Sequence, residues 1–166
     1  MNTPTEYTVA LTKGAMTVGA LAAGIMLLIS VFNLQILSWI IFIGGICLGM
    51  RSYKNVLGGI IAYSQALNVG FQTAFFASLI LAFFAFMNTT MNSSLIVEFL
   101  DAAEEQLKTS GMPTIMVENA MQNWREILTP TIFGLIIIFT YSAAGGFLSL
   151  ILAFLFKNAK REEIGI

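Results

Sequence analysis

Apolar positions in this chain run on without interruption. From Gly14 to Met50, from Asn55 to Val97 and from Ile127 to Phe156 there is no charged side chain, and all charge stands between those stretches or near the two ends. A water-soluble fold places charges along nearly every element. A lipid-embedded one cannot, because a charge in hydrocarbon costs several kcal/mol. The pattern therefore predicts an all-α, polytopic membrane protein.

The lengths of the runs set the number of crossings. A hydrocarbon core of about 30 Å takes roughly 20 helical residues. Gly14–Met50 would be about 55 Å long as one helix, too long for a single crossing, and Asn33-Leu34-Gln35 breaks it near the middle. The first two transmembrane helices are thus expected at 14–32 and 34–50, joined by a tight hairpin. A third is expected at 66–87, bounded by Asn88-Thr89-Thr90. The fourth is expected at 130–156, with Thr129 as N-cap and Pro130 at the first helical position. Val56–Leu67 is too short to span. The four helices form a bundle within one membrane domain, 1–166.

Residues 88–129 change period. Ile96, Phe99, Leu100, Ala103 and Leu107 recur at helical spacing, with Glu98, Asp101, Glu104, Glu105 and Lys108 opposite. Ser110-Gly111-Met112-Pro113 ends that helix, since Gly suits the C-terminal cap and Pro cannot continue it. A second amphipathic helix carries Val117, Ala120, Met121, Trp124 and Leu128 on one face, and Glu118, Asn119, Gln122 and Glu126 on the other. Their apolar faces are expected on the outer membrane surface, the bundle or a partner.

Composition narrows the chemistry. Hydrophobic residues are 57% of the chain and charged residues 10%, against roughly 45–50% and 25% in soluble domains. The net charge of −1 argues against a nucleic-acid partner. With no histidine and the single Cys47 inside an apolar run, one chain forms neither a disulfide nor a Cys/His zinc site. The first apolar stretch outlasts a signal-peptide core and lacks an A-x-A-like end, so it reads as an uncleaved anchor. Lys and Arg set the orientation. With both termini cytoplasmic, Lys13, Arg51, Lys54, Lys157, Lys160 and Arg161 lie inside, and only Lys108 and Arg125 lie outside. Trp39 would then mark the outer interface and Tyr53 the inner one. The basic group Arg51, Lys54, Lys157, Lys160 and Arg161 would face anionic lipid, chiefly as a topology signal.

Few residues offer function. Glu98, Asp101 and Glu105 share a helix face and admit an oxygen-ligated cation, but a solvated acidic face is the plainer expectation. Gly45 and Gly49 make a GxxxG. Ala15, Gly19 and Ala23 form a ladder of small residues on the first helix, with Ser142, Gly146 and Leu150 a weaker one on the fourth. Small side chains let helices approach closely in lipid, either within the monomer or between copies, and packing within the monomer is the expectation. Gln65, Asn68 and Gln72 form an amide stripe near the cytoplasmic end of the third span. The stripe serves as interhelical glue, with Thr140, Tyr141 and Ser142 as candidate partners, or as a ligand site. No charge within the spans argues against an ion pump, and no paired Gly/Pro breaks argue for a transporter.

The order of these elements resembles a known family. A tight first hairpin leads to Arg51-Ser52-Tyr53-Lys54 with Gly58-Gly59, then Ser64-Gln65-Ala66 and Gly70-Phe71 open the third helix. The outer loop carries Gly111-Met112-Pro113 and Glu118-Asn119-Ala120-Met121. Over about residues 10 to 157 the chain resembles the domain of unknown function 4199, a family of bacterial inner-membrane proteins found mainly in Bacteroidota. That resemblance implies four helices, no catalytic residues to carry over, and genes lying near polyprenol-type glycosyltransferases. The expectation is a non-catalytic scaffold or accessory subunit, without cofactor or metal, for a membrane enzyme such as a polyprenyl-phosphate glycosyltransferase. Small transporter or lipid-binding protein is the alternative, and a membrane enzyme is the least favoured class.

Overall fold

The computed structural model describes residues 4–30 and 35–158. Among them are six helices and no strand: α1 Pro4–Ser30, α2 Gln35–Val56, α3 Tyr63–Met91, α4 Ser94–Thr109, α5 Thr114–Ile127 and α6 Pro130–Phe156. Four stretches, Thr8–Ile29, Ile36–Val56, Tyr63–Met91 and Pro130–Phe156, are long and apolar enough to cross a membrane. The chain is a multi-pass integral membrane protein. The expected hairpin at Asn33-Leu34, with the end of the first span at Phe32, lies outside the described residues, as do Lys160 and Arg161.

α6 has the bounds its sequence predicts. Thr129 Oγ1 accepts the Ile132 N–H at 3.4 Å, as an N-cap does for the third helical residue. The other spans outrun their apolar runs. α1 starts at Pro4 rather than 14, α2 passes Arg51 and Lys54 to end at Val56, and α3 begins at Tyr63 rather than 66 and ends at Met91 rather than 87. A helix stops where its backbone bonds stop, whereas a charge only marks where hydrocarbon ends. After α2, Gly58 and Gly59 take φ of +73° and +89°, a left-handed region that other residues rarely adopt.

The chain forms two compact units. The first falls within Met1–Leu81 and Ile138–Ile166, the second within Ala82–Ile137. In the first, α3 meets each of the other three helices, and small residues bring them close. A Cβ on Gly19 of α1 would lie 2.6 Å from the Thr73 carbonyl oxygen of α3, and one on Gly49 of α2 would lie 2.5 Å from Thr73 Oγ1. A Cβ on Gly45 would lie 2.7 Å from the Ala22 Cβ, at the crossing of α1 and α2, and Ala23 is fully buried. Gly19, Ala23, Gly45 and Gly49 therefore all serve contacts within one chain.

The seam between α3 and α6 is antiparallel and equally tight. Gly70 faces Met50 and Ser149, Ala74 faces Gly145, and Ser78 Oγ lies 3.0 Å from Ser142 Oγ. Ser78 donates its proton to the Phe75 carbonyl at 2.7 Å, so Ser142 is the donor between the two hydroxyls. The ladder on α6 is thus Ser142, Gly145 and Ser149. Gly146 and Leu150, the expected members, face elsewhere, because the i, i+3, i+7 line follows the buried face more closely than i, i+4, i+8. Trp39 stacks on Tyr141 with centroids 5.5 Å apart, and Phe42 meets the same ring edge-on at 5.4 Å. Tyr53, expected at the interface, is instead 7% exposed within the core.

In the second unit α4 and α5 form a helical hairpin. Leu100, Val117, Met121 and Leu128 make its core, with Ile96, Leu107 and Phe133 packed against them. Gly111 takes φ of +82° and ends α4, as its place before Met112-Pro113 predicts. Trp124, placed by its period on the buried face, is 47% exposed.

Candidate functional site

The amide stripe turns inward on its own helix. Gln65 is the third residue of α3, and its Oε1 accepts the Ala62 N–H at 3.1 Å, as in the returning half of a capping box. One turn on, Gln72 Nε2 donates to Asn68 Oδ1 at 3.2 Å. Gln72 Oε1 is buried without a hydrogen-bond partner. The expected bonds from this stripe to Thr140, Tyr141 and Ser142 are not formed. Ser142 is taken by Ser78, deeper along α3, and Tyr141 is taken by the rings of Trp39 and Phe42. The glue between these helices is a hydroxyl pair, and the stripe caps and braces α3.

Beside the stripe a lateral groove of about 500 Å³ opens on the first unit, lined by Ser64, Leu67, Asn68, Phe71, Gly146 and Leu150. One wall is α3 and the other is α6. Asn68 and Phe71 are exposed along it. Gly146 notches its floor, since a Cβ there would come 3.4 Å from the Phe71 ring. Sequence reasoning reached its α3 wall at Asn68 and missed its α6 wall. Two of the groove's residues carried a signal: Asn68, in the amide stripe weighed as glue or ligand site, and Gly146, which the period assigned to helix packing.

Arg51, Lys54 and Lys157, the described members of the basic group, stand at the same end of the helices. The Tyr63 hydroxyl donates to the Leu150 carbonyl at 3.4 Å, and Lys54 Nζ donates to the Phe156 carbonyl at 3.2 Å. Lys54 thereby satisfies one of the orphan carbonyls that end α6. The Asn158 N–H donates to the Ile61 carbonyl at 3.2 Å, so Lys157 stands level with the first turn of α3. Its ammonium lies 4.7 Å from the centroid of the Phe154 ring. Arg51 is exposed on the last turns of α2.

On the second unit the acidic face of α4 is tied down from α5. Arg125 reaches Glu104 at 3.1 Å and Asp101 at 3.8 Å, and Lys108 reaches Glu104 at 2.7 Å one turn along. The Lys108 hydrogen bond, then its charge and that of Arg125, hold the Glu104 carboxyl below its usual range; Glu104 in turn raises Lys108. Among the described residues no group of three or more His, Cys, Asp or Glu side chains converges as a metal site would require, and Asp101 of the acidic triad turns to Arg125. Between α4 and α5 lies a second groove of about 410 Å³, apolar, lined in part by Phe99, Leu100, Leu107, Met121 and Trp124.

A family model described as a protein of unknown function, DUF4199, matches residues 11–158. The chain belongs to this family. The match takes in all four spans except the first turns of α1, together with both helices of the hairpin. No curated protein and no solved structure matches this DUF4199 chain.

Proposed function

We propose that this DUF4199 protein is a non-catalytic accessory subunit, or scaffold, of the bacterial inner membrane. Both termini are cytoplasmic and the α4–α5 hairpin is outside, as the six-to-two bias of Lys and Arg favours. The hairpin holds a membrane-associated enzyme, and the family resemblance points to a polyprenyl-phosphate glycosyltransferase. The observation that carries this reading is the apolar groove left open between α4 and α5, on a hairpin whose charges are mostly acidic. Phe99 and Trp124 on its walls are 40% and 47% exposed, and exposed aromatic anchors are typical of binding surfaces. Residues 88–129 hold six acidic and two basic side chains. An amphipathic partner segment with an apolar stripe and a basic flank complements such a surface.

Co-purification in mild detergent from the native host tests this, with Trp124→Ala run in parallel. A membrane enzyme recovered in fixed ratio with wild type and lost with Trp124→Ala supports the reading. Recovery independent of Trp124, or no partner in fixed ratio, refutes it. The second reading, a lipid-binding protein, is favoured by the lateral groove between α3 and α6. A small transporter fits less well, because the polar residues of that groove, Ser64 and Asn68, stand at one end only.

A further inference from the structure

We propose that the lateral groove between α3 and α6 binds one anionic phospholipid, its phosphate at Lys157 and its acyl chain over Phe71, Gly146 and Leu150. This deepens the lipid-binding reading and needs no protein partner, so it stands or falls apart from the accessory role.

Position on the helix supports it first. Leu150 and Lys157 are seven residues apart, and Gly146 and Lys157 eleven, so all three lie on one face of α6 within a few tens of degrees. The groove wall therefore leads along α6 to the lysine, past Phe154, whose ring carries the ammonium. Length supports it second. Eleven residues rise roughly 16 Å, which is half of a hydrocarbon core of about 30 Å. A chain lying from Lys157 to the Gly146 notch thus fills one leaflet and stops near the midplane.

Chemistry supports it third. Lys157 and Lys54 bring two positive charges to the end of α6, and Arg51 stands exposed on α2. Ser64 and Asn68 are polar residues on the groove wall one and two turns into α3. Because Asn68 Oδ1 is occupied by Gln72, its Nδ2 is the group left to donate to ester or phosphate oxygens. Beyond them the lining is apolar, as an acyl chain requires. A zwitterionic headgroup would bring its own cation against Lys157; an anionic one does not.

The test counts lipids. Wild type, Lys157→Gln, Gly146→Leu and Gly146→Ala are placed in nanodiscs of phosphatidylglycerol and phosphatidylcholine in equal parts. They are then extracted, and retained lipid is identified by native mass spectrometry. Wild type is expected to keep one phosphatidylglycerol in preference. Lys157→Gln should cut that preference about fivefold while keeping a lipid bound, one lysine near an anionic surface being worth about that factor. Gly146→Leu should remove the retained lipid whatever its headgroup. Gly146→Ala, whose Cβ makes an ordinary contact with Phe71, keeps the bundle intact and should lower occupancy in part. Equal retention of the two lipids by wild type, full preference in Lys157→Gln, or full occupancy in both Gly146 variants would overturn the proposal.

Discussion

The same substitution, Gly→Ala, should have opposite effects at Gly19 and Gly44. Nothing lies within 4 Å of the place a Cβ would take on Gly44. There the change only removes the extra backbone freedom of glycine, and a helix gains about 0.5–1 kcal/mol. On Gly19 the new carbon would lie 2.6 Å from the Thr73 carbonyl oxygen and 3.2 Å from the Ala77 nitrogen. Both are backbone atoms of α3 and cannot rotate away. Restoring an ordinary contact of 3.4 Å needs the two helices to part by roughly 0.8 Å, and overpacking of that order costs about 1–3 kcal/mol. Net of the propensity gain, Gly19→Ala should be destabilising by up to about 2 kcal/mol, while Gly44→Ala is neutral or stabilising. Thermal unfolding of both variants in one detergent, against wild type, measures the difference. Equal midpoints, or a Gly19 variant more stable than the Gly44 variant, would refute the close approach of α1 to α3 at Gly19.

Three further outcomes are expected. Gln72→Leu should leave the melting temperature unchanged or raise it, because it removes a buried Oε1 that has no partner; a loss of several degrees would mean the amide does more than brace Asn68. Glu104 has a folded pKa below its unfolded one, so its contribution is present above the usual carboxylate range and is lost as pH falls through the lower folded value. Protection of the α4–α5 amides, taken relative to their intrinsic exchange rate at each pH, should therefore be constant near neutral pH and fall as acid protonates Glu104, an effect that Arg125→Gln shrinks; protection independent of pH would contradict it. After Cys47→Ala, an impermeant thiol reagent should label Thr109→Cys and spare Ser52→Cys in cells with a permeabilised outer envelope. The reverse pattern would invert the topology.

How far the chain could be read from its residues depended on which force governed each feature. The four spans follow from the length of the uncharged runs and the two amphipathic helices from hydrophobic period, and α6 agrees to the residue because Thr129-Pro130 and Lys157 punctuate both ends. The start of α1 and the end of α2 were not legible, since helical hydrogen bonding continues past Lys13, Arg51 and Lys54 once the chain has left hydrocarbon. The amide stripe shows the deeper limit. Period places Gln65, Asn68 and Gln72 on one face, but which helix lies opposite depends on tertiary register, and that register gave Ser142 to Ser78. The groove at Gly146 was hidden for the same reason: a glycine in a span looks alike whether it meets a helix or leaves a notch.

The seam of Gly70, Ala74 and Ser78 against Ser149, Gly145 and Ser142 has an evolutionary corollary. Each facing pair shares one small volume, so neither partner can grow unless the other shrinks. Ala74 is already in contact with Gly145, and only an exchange of the two, glycine on α3 and alanine on α6, keeps the total constant. Among DUF4199 sequences such columns should trade size in concert. Positions like Leu135, Phe139 and Phe147, more than half exposed, should drift independently among any residues that lipid tolerates.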